Sequence, residues 1–585
     1  MTNIKTKVLL FGICNLLFIC NLLFGICQPS FAQSPDDLEV TVDISSSTVP
    51  TPKIFKPNVD LSGRGFSKDS SWPQTLSQKE NIDKWSSDLG FSGFYRMEYD
   101  LWEIAKLSKD SLAQNKLLSN YENTIKSINS SKGTIILDIF GTPAGMGKIL
   151  DKRSSPVDLK AYKELIKKNI KYLSCEKKYD IWYEVWNAPD IGDFFLGRQQ
   201  EYLNLYRLCA ESIKELEAEF KIHIPIGGPS ASWWFKNLDS NTVLTPEKSL
   251  IYELIKFCHL NHLPLDFISW HGFSSSATVE KESTIYKKDL VSLIREWLSY
   301  FNLDKATPLI IDEWNYDLDS NVLPERHRKS FVTASFIPAR LKNMYEAGID
   351  NQIYFCLEDF QNNAEGVTRN VGIFYTEVQR LGSKNGWKAT YNVFKMLNKL
   401  GPEMFKYKVN DDFVGIIATR SSDEITLLIY NYIDPDAVKN FLASNIANLD
   451  PRERKFLLSI IETNELSKII SRQEDVANLH TSLTVKNLLK RAQEINDKVK
   501  KFIDSPRNIK LNLKNLKDTY SFSKILVDSS CGLNCKFEDA QSKEILPADS
   551  VIEDLSLSPY SVNLITLKKK VSPLPAKKDE STAGR

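Results

Sequence analysis

Two short segments of the chain concentrate side chains that can carry chemistry. The segment EVWNAPD occupies residues 184–190, and the segment IIDEWN occupies residues 310–315, about 126 residues further on. Glu313 follows an apolar run, and a glutamate at the end of a buried strand can attack an electrophilic carbon or move a proton. In the first segment Asn187 offers an amide, whereas Ala188 offers no polar group. The pair of segments therefore predicts a site with one carboxylate and one amide.

The acidic residues next to Glu313 and Asn187 are weaker candidates for a catalytic role. We expect Asp312 to point away from Glu313, because adjacent residues of a strand face opposite sides. Glu184 lies within its predicted strand rather than at the end, which favours a structural residue of the interior over an acid. A surface or ion-paired glutamate is the alternative interpretation of Glu313.

Eight apolar runs alternate with amphipathic helical segments at intervals of some 30 to 45 residues. Apolar residues at spacings of three and four in DLKAYKELIKKNIKYL indicate such a helix. Eight β/α alternations predict an α/β fold with a closed (β/α)8 TIM barrel rather than an open sheet, and no glycine-rich phosphate loop follows the first strand. The runs are NVDLSGRG (58–65), FSGFYRM (91–97), TIILDIF (134–140), YDIWYEVW (179–186), KIHIPIGG (221–228), LDFISW (265–270), PLIIDEW (308–314) and NQIYFCL (351–357).

Polar and aromatic residues stand where these runs end. The active site of a β/α barrel is assembled at the carboxyl ends of its strands, so these residues are the candidates for function. They are Arg64, Arg96, Glu98, Asn187, Trp270, His271, Glu313, Trp314, Glu358 and Asp359.

After about residue 404 the pattern changes to alternating runs rich in β-branched and aromatic residues, such as EITLLIYNY and YSVNLITLK. This pattern predicts a C-terminal β-sandwich over 405–570, following a barrel domain over 56–404. Helical sequence interrupts the sandwich at about 434–505, where Asp450-Pro451-Arg452-Glu453 forms a helix start signal. We interpret this stretch as an inserted helical segment.

The N-terminal sequence indicates export. Lys5 and Lys7 precede an apolar run from Val8 to Cys27, and Ser30-Phe31-Ala32 provides a small-residue cleavage site. Residues 1–32 therefore predict a signal peptide cleaved after Ala32, with an uncleaved anchor as the alternative. We expect a secreted or periplasmic protein with no membrane span after cleavage, a linker over 33–55 and a disordered tail over 571–585.

Charge and cysteine content exclude several classes of partner. The chain has 75 Lys and Arg against 74 Asp and Glu, so no net charge draws it to nucleic acid or to an anionic membrane. In an exported protein Cys531 and Cys535 of CGLNC can close a small disulfide loop, whereas no second Cys/His pair lies nearby to form a zinc site.

The two chemical segments, together with SGRG (62–65), GGPS (227–230) and SWHGFS (269–274), resemble glycoside hydrolase family 39 of clan A. That family contains β-xylosidases, α-L-iduronidases and bacterial exopolysaccharide hydrolases. The likeness covers most of residues 58–432 and resumes near 507. It implies a retaining glycosidase that acts on O-glycosidic bonds of an oligo- or polysaccharide and uses carboxylates alone, without a metal or cofactor.

The resemblance also assigns roles to residues. Glu313 is the implied nucleophile, and Ala188 stands where the family has the glutamate that serves as general acid/base. Asn187 is implied to bond the sugar 2-hydroxyl, and His271 to contact the substrate or the nucleophile. The further implied substrate contacts are Arg96, Glu98, Trp270 and Trp314.

Departures from the family pattern leave the chemistry open. Glu98 stands where the family commonly shows histidine, and Phe355 stands in place of a tryptophan. Glu98, Asp190 and Asp193 are the carboxylates that could substitute for the missing acid. The chain is then a weak or altered hydrolase, a carbohydrate-binding pseudoenzyme, or a variant inactivated by replacement of a glutamate at position 188. An adhesion or scaffold protein using the helical segment is the alternative of another class.

Overall fold

The computed structural model describes residues 38–61, 79–233, 246–282, 284–285, 288–316, 330–362, 367–379, 382–406, 409 and 411–570. The predicted signal peptide, Arg64 with its SGRG motif, and the predicted tail over 571–585 lie outside these residues.

Eight parallel strands close into a barrel, in which each strand pairs with the next along the chain and the last pairs with the first. Two strands precede the barrel, β1 (Leu38–Asp43) and β2 (Thr48–Pro50). The first six barrel strands are β3 (Val59–Asp60), β4 (Phe94–Asp100), β5 (Thr134–Phe140), β6 (Ile181–Val185), β7 (Ile226–Ala231) and β8 (Phe267–Phe273). After a short hairpin of β9 (Thr284–Ile285) and β10 (Lys288–Asp289), the barrel is completed by β11 (Leu309–Asn315) and β12 (Asn351–Tyr354).

Helices surround the barrel because each places an apolar stripe against the strands. The helix over Leu159–Ile170 shows the rule: Asp158 caps its first turn, and Tyr162, Ile166 and Ile170 recur every four residues on its buried face. In chain order the helices up to the C-terminal sheets are α1 (Lys79–Leu89), α2 (Leu101–Lys106), α3 (Ser111–Ser130), α4 (Leu159–Ile170), α5 (Gln199–Phe220), α6 (Leu250–Asn261), α7 (Val279–Glu282), α8 (Leu290–Tyr300), α9 (Ser330–Ala347) and α10 (Ala389–Asn398).

Two antiparallel hairpins follow the last barrel strand and precede α10. They are formed by β13 (Phe360–Asn362) with β14 (Val367–Arg369), and by β15 (Phe374–Gln379) with β16 (Gly382–Trp387).

The C-terminal part is a sandwich of two sheets. A seven-stranded sheet has the order β2-β17-β18-β19-β24-β21-β22, and a three-stranded sheet has the order β1-β20-β23. Their inner faces enclose a separate apolar core, to which Leu427 and Ile565 contribute from one sheet and Leu511 from the other. The new strands are β17 (Glu403–Phe405), β18 (Val414–Arg420), β19 (Glu424–Asn431), β20 (Arg507–Leu516), β21 (Tyr520–Val527), β22 (Asp539–Ile545), β23 (Ala548–Leu557) and β24 (Ser561–Lys569). The predicted barrel with an appended C-terminal sandwich is confirmed.

Four helices lie between β19 and β20 and have a small core of their own, which includes Leu457, Ile469 and Leu489. They are α11 (Ala437–Asn445), α12 (Pro451–Glu462), α13 (Glu465–Ile470) and α14 (Leu483–Phe502). In the described part of the chain, no helix combines the length and apolar character that crossing a membrane requires.

The prediction of a linker over 33–55 is wrong for the residues of β1 and β2. Val40 and Val42 are buried in the sandwich core, and β1 runs parallel to β20 with Leu38 opposite Ile509. The alternation in LEVTVD is that of a half-buried strand, and the neighbouring serine and proline residues concealed it.

Candidate functional site

Arg96 is at the centre of the carboxyl end of the barrel. It lies on β4, its side chain is almost fully buried, and its guanidinium contacts carboxylates from four other strands. Nε lies 2.7 Å from Glu184, Nη1 lies 2.6 Å from Glu313 and 3.0 Å from Asp60, and Nη2 lies 3.5 Å from Asp138. A planar guanidinium with five donors suits such a cluster better than a lysine does. Arg96 therefore holds Glu313 in a fixed orientation.

The same guanidinium also positions Asn187, which lies two residues after the end of β6. Nη2 of Arg96 donates to Asn187 Oδ1 at 2.9 Å and to Ser230 Oγ at 3.1 Å, and Ser230 Oγ in turn donates to Asn187 Oδ1 at 3.3 Å. Because Oδ1 accepts these bonds, the amide nitrogen is the end of Asn187 that can donate to another group. Asn187 and Glu313 thus share one anchoring side chain.

His271, on β8, lies between two acidic residues of β11. Nδ1 is 3.0 Å from Asp312 Oδ1, and Nε2 is 3.8 Å from Glu313 Oε2. Burial disfavours the charged imidazole, but Glu313 and Asp312 outweigh this effect and raise the pKa of His271 to about 9. Although burial opposes its charge, His271 lowers the pKa of Asp312 below the ordinary value. The imidazole is therefore a cation that faces Glu313.

The expectation that Asp312 points away from the site is wrong. The pairing of β11 with β8 shifts between Ile311 and Glu313, so that Asp312 is an extra residue on β11. Such a bulge breaks the strict alternation of side chains and re-aims them. Asp312 and Glu313 consequently both reach His271.

Burial changes the protonation of the deeper carboxyl groups. Burial raises the pKa of Asp138 and of Glu184, and the positive charge of Arg96 opposes both changes without cancelling them. For Arg96, burial favours the neutral form, but Glu184 and Glu313 dominate and raise its pKa. Arg96 is thus a permanent cation, while Asp138 and Glu184 resist ionisation.

Ala188 follows Asn187 in a tightly held loop. Its N–H donates to the carbonyl of Ser230 at 2.9 Å, and its own carbonyl accepts from Ile191 N–H at 3.2 Å. Its backbone has φ = 42°, in the left-handed region. The residue is buried, so position 188 lies at the end of β6 beside the amide that shares Arg96 with Glu313.

The model for glycosyl hydrolases family 39 matches residues 143–440, just over half of the 585-residue chain, and this range includes Asn187, Ala188, His271 and Glu313. The chain belongs to glycosyl hydrolase family 39.

Curated relatives agree with the family model. The chain is 27% identical to a β-xylosidase of Caldicellulosiruptor saccharolyticus over 266 residues, which cover 43% of this chain and 49% of the relative. It is 24% identical to a β-xylosidase of Geobacillus stearothermophilus over 262 residues, which cover 43% of this chain and 47% of that relative. The chain therefore matches about half the length of these two relatives.

Solved structures of low sequence identity share the fold. The GH39 enzyme from Xanthomonas axonopodis pv. citri has a TM-score of 0.60 at 14% identity, covering 92% of this chain and 98% of that one. A monomeric β-xylosidase from Caulobacter crescentus CB15 has a TM-score of 0.59 at 14% identity, covering 91% and 99%. The similarity extends over the barrel and the sandwich of this family 39 member.

Two of the carboxylates expected as substitute acids are placed away from such a role. Both oxygens of Asp190 accept hydrogen bonds from Ser232, at 2.8 Å from its N–H and 2.7 Å from its hydroxyl. Asp193 is exposed and interacts electrostatically with Arg153. Glu98 is different, because it lies two residues beyond Arg96 on β4 and therefore faces the same side.

The expected sugar contacts of Trp270 and Trp314 are wrong. Both side chains are fully buried in the core between the barrel and its helices, and Trp314 Nε1 donates to Gln352 Oε1 at 2.5 Å. The aromatic rings near the site are instead Phe273, with its ring centre 6.1 Å from that of His271, and Phe355, 5.7 Å from Phe273. In this family 39 chain the tryptophans support the strands from outside.

Sequence reasoning missed Asp60, Asp138 and Ser230 as partners of Arg96. The alternation of side chains along each strand could have identified them, because they are polar residues that face the barrel interior together with Arg96. In the described part of the chain, no group of three or more His, Cys, Asp and Glu residues is arranged to hold a metal ion.

Proposed function

We propose that this protein is an exported retaining glycoside hydrolase that cleaves O-glycosidic bonds of an oligo- or polysaccharide, with activity weakened or altered by alanine at position 188. The observation that supports this function best is the shared anchoring of Glu313 and Asn187 by Arg96. A retaining glycosidase requires a carboxylate aimed at the anomeric carbon and a donor for the sugar hydroxyls, and these two residues offer both.

In this mechanism Glu313 is the nucleophile. One of its oxygens accepts a hydrogen bond from Arg96, and the other faces His271, so two basic side chains flank the carboxyl group. Attack on the anomeric carbon forms an ester between sugar and Glu313 and expels the leaving oxygen, and water then cleaves the ester. The amide nitrogen of Asn187 donates to the sugar 2-hydroxyl during both steps.

Position 188 is where the family pattern has the acid/base glutamate, and a methyl group cannot transfer a proton. Loss of general acid/base catalysis lowers the reaction rate by a factor of about 10²–10⁴. The loss falls chiefly on substrates whose leaving group needs a proton. Aryl glycosides with acidic phenols are therefore the substrates on which turnover is easiest to detect.

The N-terminal segment supports export to the carbohydrate outside the cytoplasm. Its two lysines, apolar run and small-residue site up to Ala32 have the composition of a signal peptide. The balanced charge of the chain gives no reason to expect nucleic acid as a partner.

The proposal is tested by measuring the turnover of the full chain on nitrophenyl glycosides, beginning with β-D-xylosides and β-D-glucosides, and on polysaccharides. We expect turnover by the wild type and its loss in Glu313→Gln, which removes the nucleophile at nearly constant volume. The exposed Glu494→Gln is the matched control and should retain wild-type rates. Unchanged turnover in Glu313→Gln would exclude Glu313 as nucleophile.

Ala188 itself favours a second candidate, a carbohydrate-binding protein without turnover. Such a protein keeps Asn187, anchored by Arg96, as a sugar contact but has no complete catalytic pair. Saturable sugar binding in calorimetry, with no product from any aryl glycoside, would support this candidate over the hydrolase.

A further inference from the structure

Ser230 is the penultimate residue of β7 and the last residue of the GGPS segment. We propose that its hydroxyl is a positioning group, which holds the amide of Asn187 in the orientation that binds the sugar 2-hydroxyl in the transition state. This inference rests on the proposed glycosidase function and deepens it, because it assigns a residue that acts through Asn187. Ser230 is fully buried, so it does not contact the substrate itself.

The backbone of Ser230 is fixed by neighbouring strands. Its N–H donates to Ser269 Oγ on β8 at 3.1 Å, and its carbonyl accepts from Ala188 N–H at 2.9 Å. Its φ of 51° lies in the left-handed region, which a residue with a Cβ retains where the surrounding structure holds it. The hydroxyl is therefore presented to the site from a fixed position.

The direction of the hydrogen bonds at this hydroxyl follows from its neighbours. The guanidinium of Arg96 can only donate, so Ser230 Oγ accepts from Nη2 at 3.1 Å. The serine proton is then donated to Asn187 Oδ1 at 3.3 Å. Arg96 Nη2 donates to the same oxygen at 2.9 Å. The three side chains form a closed triangle in which Asn187 Oδ1 accepts two hydrogen bonds.

Two donors determine the plane of the amide of Asn187. An amide held by one hydrogen bond can turn about it, whereas here the donors come from two strands, β4 for Arg96 and β7 for Ser230. With Oδ1 occupied, Nδ2 is left to donate, so it binds an acceptor such as a hydroxyl oxygen. Hydrogen bonds to the 2-hydroxyl strengthen in the transition state of glycoside hydrolysis. A tilted amide should therefore lower kcat more than it raises KM.

Asp312 is the other group that the serine hydroxyl can influence. Burial opposes the ionisation of Asp312, but His271, Arg96 and a hydrogen bond from Ser230 together hold its pKa below the ordinary value. If the hydroxyl acted chiefly on this carboxylate, its loss would disturb the pair of Asp312 and His271 beside the nucleophile. Such a disturbance would slow every substrate equally, whether or not the sugar has a 2-hydroxyl.

The test measures kcat and KM on the 4-nitrophenyl glycoside that the wild type hydrolyses best and on its 2-deoxy counterpart. Ser230→Ala removes only the hydroxyl and keeps both backbone hydrogen bonds. On the 2-hydroxy substrate it should lower kcat about three- to tenfold, the factor for one neutral hydrogen bond, with little change in KM. On the 2-deoxy substrate it should keep the wild-type kcat. Ser130→Ala, at an exposed position, is the matched control and should be unchanged on both.

Two further variants separate the hydrogen bond from packing and from the other contacts of the hydroxyl. Ser230→Cys fills the site, but its thiol is a weak donor, so its kinetics should resemble those of Ser230→Ala. In the Asn187→Ala background, Ser230→Ala should have no further effect on either substrate, because the group through which the serine acts is gone.

Circular dichroism and unfolding curves establish that each variant is folded, and Ser230→Cys provides the decision if Ser230→Ala is not. Unchanged kinetics of Ser230→Ala, equal losses on both substrates, wild-type rates in Ser230→Cys, or an additive loss in the double variant would overturn the inference while leaving the glycosidase in place. Wild-type turnover that survives Glu313→Gln, or none on any substrate, would instead overturn the proposed function and the inference with it.

Discussion

Tyr432 Oη donates a hydrogen bond to the backbone carbonyl of Ser275 at 2.5 Å, although 157 residues separate them in the chain. Tyr432 follows β19 of the sandwich, and Ser275 lies in the loop that continues from β8 and His271. Asn440, on α11, donates to the Ser275 hydroxyl at 2.9 Å. From the barrel side, the buried Arg340 of α9 binds the carbonyl of Ser276 at 2.5 Å. The appended domain therefore helps to fix a loop of the candidate active site.

Tyr432→Phe should lower kcat/KM about fivefold. The change leaves the Ser275 carbonyl without this donor, and about 1 kcal/mol of lost positioning corresponds to that factor. Steady-state kinetics on the best aryl glycoside measures the effect. Tyr300→Phe is the matched control, because Tyr300 is 76% exposed. Equal kinetics of the two variants would show that the loop does not depend on this bond.

Asp434 should make stability depend on pH. Burial raises the pKa of Asp434 to about 7, while Asn440 and the Asp436 N–H, at 2.8 and 2.9 Å, partly oppose the change. The folded protein then binds this proton up to about pH 7, whereas the unfolded chain releases it near its ordinary pKa. The free energy of unfolding should fall as pH rises from about 4 to 7, and be level above that.

Urea unfolding of the wild type and of Asp434→Asn at pH 5 and pH 8 measures this contribution. The wild type should lose stability relative to the variant on going to pH 8, because asparagine has no proton to lose. Asp549→Asn, at an exposed position, is the control that should show no such difference. If the wild type and Asp434→Asn differ in free energy of unfolding by the same amount at both pH values, the raised pKa of Asp434 is contradicted.

Ala188→Glu should supply the proton transfer that the methyl group at position 188 cannot provide. Glutamate and alanine both carry a Cβ, so the left-handed backbone at φ = 42° adds little new strain. We expect a gain of about 10²–10⁴-fold on phenyl glycosides. Ala188→Gln has the same size without the acid and should give no gain. A gain with glutamine as large as with glutamate would point to packing instead of proton transfer.

Arg96→Lys should destabilise the barrel by about 3–5 kcal/mol, because it leaves buried carboxylates without their shared guanidinium. Chemical denaturation measures the change, and Arg452→Lys, at an exposed helix start, is the control. A stability equal to that of Arg452→Lys would mean that a lysine satisfies the same cluster.

The barrel was predictable because each of its strands is a separate apolar run. The run TIILDIF coincides with β5, residues 134–140. The run KIHIPIGG is displaced from β7, which begins at Ile226, because Lys221 ends the preceding helix in the left-handed region. Strand β22 gave no signal, since its residues are exposed on both faces apart from Ile545 and show no alternation.

The candidate site was predictable only in part. Motifs indicated Glu313, Asn187 and His271, but alternation alone assigned Asp312 to the wrong side because it cannot foresee a bulge. The indole rings of Trp270 and Trp314 were assigned to the mouth because they end strands, whereas their parity relative to His271 and Glu313 directs them outward.

The pairing of β1 with β20 joins Leu38 to Ile509, so in chain order the whole barrel is an insertion within the sandwich. Neither sheet of the sandwich is complete until strands from both sides of the barrel have met. Pairing strands that are so far apart in the chain costs loop-closure entropy before any contact between them forms, and this slows folding. The early strands also stay unpaired while the later ones are synthesised. The barrel has mostly local β/α contacts, so we expect it to form first. Its formation then brings the distant strands together, and the barrel acts as the folding template for the sandwich whose strands flank it in the chain.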